Sequence, residues 1–332
     1  MMKMKKTLAL TLAALATLSL SACGSTAETG GTDTAGDGEA QAYTIGIIQQ
    51  QQHPALDSAT EGFQAALQAL LGDQVSFQYQ NASGETSNCP TIVSGFVAAD
   101  VDLIMANGTT ALQAAAAATD TIPILGTSIT EYGVALGIDG FQGTTGRNIS
   151  GTSDLAPLDE QAAMLQAWFP DAVTVGLLSC SAEPNSAYQV EAVQSSLEDL
   201  GYTCTSYTFS DSNDLSAVAT TACNENDVVY IPTDNTAANN AELIGNIAQS
   251  TATPIIAGEE GICKGCGVAT LTIDYYDIGY RTGEMAYEIL VEGADPATME
   301  IQYAPEATPK YNPDMCDALG LTPLEGYEPI AD

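Results

Sequence analysis

The segment VVYIPTDNTAANN (228–240) joins an apolar run to a helix-like stretch through Thr233, Asp234, Asn235 and Thr236. A carboxylate and an amide at the end of a buried strand have two uses. They can cap the following helix by accepting from its free backbone N–H groups. They can also receive a ligand donor, for which an ammonium is the strongest match. The residues leave both readings open for Asp234 and its neighbour Asn235. The same choice arises at Asn107, Thr109 and Thr110 in NGTT, at Thr127 in GTS, and at Asn185 and Ser186 in EPNS. Unpaired N–H groups at such helix starts carry partial positive charge and accept anions. Gln49 ends an apolar run at 43–49, His53 is the single histidine, and Glu259 follows IIAG. His53 reads either as a ligand contact or as a structural hydrogen-bonder. Tyr275 and Tyr276 read as hinge or lining residues, and Trp168 as packing. Ammonium on Asp234, with carboxylate on Ser and Thr hydroxyls and helix N–H groups, makes an amino-acid site that needs no Arg or Lys.

Catalysis is poorly provided for. One histidine excludes most His-dependent triads and zinc motifs such as HExxH. No GxSxG, P-loop or strand-linked GxGxxG is present, and Glu259 and Glu260 are adjacent rather than an opposed glycosidase pair. We expect no catalytic residues, no metal site and no cofactor.

The amino terminus points to a compartment. Lys3, Lys5 and Lys6 precede a short apolar run, and Leu20-Ser21-Ala22-Cys23 reads as a lipobox. Residues 1–22 are therefore expected to be a lipoprotein signal peptide, and Cys23 the lipidated residue. Residues 23–42 are small and polar, which suits a flexible tether. The protein is expected outside the cytoplasm, lipid-anchored to the cell membrane. Removal of the leader leaves Arg147, Lys264, Arg281 and Lys310 against 42 acidic residues, a net charge of about −38. Such a surface repels phosphate backbones, so nucleic acid is rejected as a partner.

Eight cysteines are present. An extracytoplasmic setting permits disulfides. Cys263-Lys-Gly-Cys266 reads as a small structural disulfide in a Gly-rich loop, since no second CxxC exists for zinc. Cys204 and Cys223 fall at the same end of a sheet and could pair. Cys89, Cys180 and Cys316 are left unassigned.

These residues must be positioned by the elements around them. The chain alternates strand and helix: strands at 43–49, 75–84, 101–110 and 122–128, then 172–180, 202–209, 228–232, 254–258 and 268–274. Helices are expected at 56–72, 89–100, 111–120, 186–201, 213–226, 235–250 and 277–293. Parallel strands need crossover helices, so this rhythm predicts two parallel-sheet α/β lobes. Near-continuous apolar strands agree. Segments 148–157, 272–277 and 300–306 are the candidate crossings of a three-crossing hinge. Residues 43–150 plus 277–300 would form the first lobe, and 151–276 plus 301–332 the second. Ligands of open α/β sheets lie beyond the carboxyl ends of the strands, and polar residues including Ser128, Thr130 and Glu183 end several of them.

The stretches IGIIQ, YQNASG, VDLIMANGTTALQAA, IPILGTSITEYGVALG, NISGTSDLAP, CSAEPNSAYQ, YIPTDN and AGEEGICKGCGVATLTIDYYDIGYRTGEMA resemble substrate-binding lipoproteins of ABC transporters of the tryptophan/tyrosine (aromatic amino acid) type. The likeness covers 43–330. It implies a type I periplasmic-binding-protein fold with two Rossmann-like lobes closing on a small ligand, an aromatic amino acid. It also implies delivery to a permease with an ATPase partner. Thr109, Thr110, Thr127, Asn185, Ser186, Asp234 and Asn235 fall in the matching motifs. The alternative is a receptor or sensor for another small solute, such as a nucleoside or sugar. Sugar sites usually stack aromatic rings, and these strand mouths are poor in Trp and Phe.

Overall fold

The computed structural model describes residues 42–331. The expected signal peptide, the lipidation site Cys23 and nearly all of the tether lie outside the described residues.

The chain opens with β1 (Tyr43–Gln49), α1 (Pro54–Leu71), β2 (Val75–Asn81), α2 (Asn88–Ala98), β3 (Leu103–Asn107) and α3 (Thr109–Ala118). It continues through β4 (Ile124–Ile129), α4 (Tyr132–Leu136) and β5 (Ile149–Ser153). The second half runs α5 (Leu158–Trp168), β6 (Thr174–Cys180), α6 (Pro184–Asp199), β7 (Thr203–Phe209), α7 (Ser212–Glu225) and β8 (Val228–Ile231). Then follow α8 (Asn235–Asn239), α9 (Ala241–Thr251), β9 (Ile255–Ala257), α10 (Glu260–Gly265) and β10 (Ala269–Thr272). The tail comprises α11 (Tyr275–Leu290), β11 (Gln302–Tyr303), β12 (Thr308–Tyr311), α12 (Pro313–Leu319) and β13 (Glu328–Pro329).

Two sheets result. The first has six strands in the order β11-β5-β4-β3-β1-β2, and the second has seven in the order β13-β12-β10-β9-β8-β6-β7. Pairing is parallel except between β10 and β12. Central strands such as β3 and β8 are buried along their whole length, because helices cover both faces. The chain passes between the sheets at 154–157, 273–274 and 304–307. The first sheet thus reaches Ser153 and takes back Gln302 and Tyr303, while α11 packs on α1.

That helix pair is unusually close. A Cβ on Gly62 would overlap the Tyr276 carbonyl, and one on Gly279 the Ala59 carbonyl. Gly283 would strike Ala66 and the Phe63 carbonyl. Only hydrogen at these three positions lets the two backbones approach.

Three local expectations are corrected. The helix expected over 235–250 is broken at Asn240, whose side-chain amide donates to the Thr236 carbonyl at 2.8 Å, a side-chain bond that competes with the helical ladder. The CKGC segment is not a loop but the body and C-cap of α10. Finally, all seven described cysteines are free thiols. Side chains three apart on a helix have Cβ atoms ~5–6 Å apart, beyond disulfide reach. Cys266 Sγ instead donates to the Ile262 carbonyl at 3.2 Å. Cys204 and Cys223 both border the core of the second lobe, unbonded, and burial pushes each thiol up to about 11.

Candidate functional site

The carboxyl ends of β1 and β4 face those of β6, β8 and β9 across a closed cleft. The central pocket holds about 10 Å³, room for a single water. His53, Ser128 and Thr130 line it from the first lobe. Asn185, Asp234, Asn235 and Glu259 line it from the second, and Asp154 and Tyr275 from the crossings. No Lys or Arg is among its walls.

His53 stands immediately before α1, in extended conformation, with Pro54 as the first helical residue. Its Nε2 lies 3.0 Å from Asn235 Oδ1 on the other lobe. An amide oxygen can only accept, so Nε2 is the donor. Asn235 is held in that orientation because its Nδ2 donates to Glu183 Oε2 at 2.6 Å. His53 Nδ1 is buried without a partner.

Ser128 is placed by a backbone irregularity. The pairing of β4 with β5 shifts register between Gly126 and Ile129, and Ser128 adopts φ 55°. A bulge of this type re-aims one side chain. Thr127 therefore faces inward, accepting from Thr152 Oγ1 at 3.1 Å. Ser128 turns to the pocket, 6 % exposed, with its Oγ unpartnered. A non-glycine residue in the left-handed region carries strain that tends to collect at functional sites.

Asp154 follows β5 on the first crossing. It accepts from Thr130 Oγ1 at 3.1 Å and from the Tyr275 phenol at 3.0 Å. Burial raises its carboxyl above the usual range, opposed by those two hydrogen bonds. Both side-chain donors are neutral hydroxyls, one on each oxygen, and its own backbone N–H and nearby His53 also lower it. Asn185, at the start of α6, donates from Nδ2 to the Thr233 carbonyl at 3.0 Å and leaves Oδ1 unpartnered.

The other acids are occupied. Asp234 Oδ2 accepts from the Cys180 N–H at 2.6 Å and Oδ1 from the Ala237 N–H at 2.8 Å. Its carboxyl is raised by burial and then by the Glu183 charge, with the Ser186 hydroxyl among the groups that lower it. Glu183 accepts from the N–H groups of Asn235 and Thr236 at 3.0 and 2.9 Å. Glu259 caps α10 through the Gly261 and Ile262 N–H groups, and burial raises it too. The N-termini of α8 and α10 are thus answered by the protein's own carboxylates.

The structure sorts the candidate residues. His53, Asn185, Asp234, Asn235 and Glu259 meet in the pocket. Ser186 sits behind it, fully buried. Gln49, Asn107 and Thr127 are fully buried inside the first lobe. Gln49 bonds Asp57 and Thr60, and Asn107 bonds Thr60 and the Leu56 carbonyl. This network fixes the start of α1 and hence His53. Thr109 and Thr110 do not line the pocket, because Gln50 Oε1 already accepts from the Thr110 N–H at 3.0 Å. Asp154 was not among the candidates. Its signal was a lone carboxylate directly after a strand, inside a segment read only as a crossing.

The family model described as ABC transporter substrate binding protein matches residues 44–326. The tyrosine-binding protein of Clostridioides difficile is 32% identical over 283 residues, 84% of this chain and 81% of the relative. A Streptococcus pneumonia ABC domain solved with L-Trp superposes with TM-score 0.83 at 29% identity, covering 88% of this chain and 100% of the other. A ligand-free, open substrate-binding protein from Clostridium difficile gives TM-score 0.67 at 32% identity, covering 87% and 99%. The fold is the type I periplasmic-binding-protein α/β fold, and the chain belongs to the ABC transporter substrate-binding protein family.

Proposed function

We propose that the protein is the solute receptor of an ABC importer and that it binds an amino acid, aromatic in side chain, between its lobes. The observation that carries this reading is a pair of acceptors in a pocket without Lys or Arg: the Asp154 carboxylate, whose side-chain partners are two hydroxyls, and the unpartnered Asn185 Oδ1. An ammonium suits both, and each charge-assisted bond contributes about 1.5–3 kcal/mol. Ser128 Oγ supplies a hydroxyl donor for the ligand carboxylate, and His53 Nδ1 a further acceptor. The tyrosine-binding relative and the neighbour solved with L-Trp support an aromatic amino acid.

The lobes separate to admit ligand and close over it. Closure is favoured only as far as the ligand touches both lobes, which Ser128 on the first lobe and Asn185 on the second provide. The closed form then docks on a permease that works with an ATPase. Membership of this family supports an extracytoplasmic site of action, and the lipobox supports anchoring of the chain to the membrane through Cys23. Among the described residues no helix is long and apolar enough to cross a membrane.

A thermal-shift screen of amino acids, nucleosides and sugars tests the reading. A ligand at a hundred times its Kd adds about 2.7 kcal/mol of stability. The largest shift is expected from an aromatic amino acid, and a largest shift from a sugar or nucleoside would overturn the proposal.

A further inference from the structure

We propose that the side chain of the bound amino acid lodges in a chamber beside the central pocket, where Lys310 and Glu260 select a side chain with a hydrogen-bonding tip. The inference rests on the amino-acid reading above. The central pocket has room for about one water in this closed form, whereas the adjoining chamber holds about 520 Å³. The two share Glu259 and Tyr275 as walls. A ligand with its ammonium at Asp154, which the Tyr275 phenol touches, would direct its ring into this chamber along the shared walls Glu259 and Tyr275.

The lining is of two kinds. Pro54, Ala55, Ile273 and the Tyr275 ring give apolar contact for an aromatic face. Lys310 and Glu260 line the chamber but not the central pocket, and form an ion pair at 2.7 Å. Among the described residues there are four Lys and Arg, and two of them, Lys264 and Lys310, stand in this one chamber. In so acidic a chain that placement is selective. The pair offers both polarities. A lysine ammonium has three donors and Lys310 spends one on Glu260, while the carboxylate keeps further acceptor sites. A phenol can use the donor and the acceptor, and an indole N–H can use the carboxylate. A phenyl ring uses neither and would desolvate both.

Calorimetric titration of the full chain tests this. Wild type is expected to bind L-tyrosine and L-tryptophan at least about tenfold more tightly than L-phenylalanine or L-alanine. Ser58→Trp and Thr308→Trp fill the chamber from two walls. Each should cost tyrosine at least tenfold and leave alanine unchanged. Lys310→Met should bring tyrosine down towards phenylalanine. Wild-type tyrosine affinity in both filled variants would overturn the chamber assignment alone. Should both fillings also lose alanine, the tyrosine-to-phenylalanine ratio in Lys310→Met decides, and an unchanged ratio overturns the proposal. Failure of wild type to bind any amino acid would overturn the proposed function itself.

Discussion

The Tyr275 phenol donates to Asp154 Oδ2 at 3.0 Å, joining two different crossings of the chain by one buried bond. The carboxylate that this bond holds also lines the ligand pocket. The proposed ligand contact and the hinge geometry therefore meet in a single side chain. Asp154→Asn should weaken amino-acid binding by roughly 10- to 150-fold, the equivalent of one charge-assisted bond. Tyr275→Phe should weaken it less, because the carboxylate remains. Calorimetry on both variants and the double mutant separates the two, and a wild-type affinity in Asp154→Asn would remove Asp154 from the ligand.

Asp234 has the opposite expectation. Both of its oxygens are taken by backbone N–H groups, so its loss is felt by the fold. Asp234→Ala strands two buried donors and should cost about 2 kcal/mol in chemical denaturation. Ligand affinity of the fraction that folds should change by less than the Asp154→Asn variant changes it.

Stability should rise on mild acidification. Asp154, Asp234 and Glu259 all have carboxyls raised by burial. A group whose pKa is higher folded than unfolded stabilises the fold while protonated, and that contribution fades as pH climbs through the folded value. For Asp234 the window runs from 3.8 to about 7. Relief of the large negative charge acts in the same direction. Melting temperatures measured from pH 8 to pH 5 should increase by a few degrees. Below pH 4 the trend should reverse as Asp214 and Asp227, held low by backbone N–H donors, take up protons. A steady fall in melting temperature from pH 8 to pH 5 would contradict the burial of these acids.

The His53–Asn235 bond is made only when the lobes are together. Asn235→Leu removes its acceptor and should shift the unliganded population towards open forms by ~1 kcal/mol, about fivefold. Small-angle scattering would show a larger radius of gyration without ligand and convergence to wild type with it. An unchanged radius would mean that the bond does not hold the lobes together.

The alternation of apolar strands and amphipathic helices was legible, because both sheet faces are covered. What escaped the sequence depends on local backbone. The bulge that turns Thr127 in and Ser128 out has no compositional signature in GTSIT. Gln49 and Asn107 look like strand-mouth ligands, but an internal partner such as Thr60 cannot be read from one strand. Asp234 shows the limit plainly: capping and ligand binding demand the same residue at the same place, and only its two N–H partners decide. The CKGC spacing suggested a bridge, and a helical turn under it removes the reach.

The glycine seam between α1 and α11 sets how this molecule can move. With no side chains between their backbones at three levels, those helices behave as one beam. A few degrees of twist in the three connecting segments are then carried undiminished to the far rim as several ångströms of travel. The gate can be wide although the pivot barely bends, and a single methyl group at Gly279 would cost the receptor its stiffness before it touched the solute.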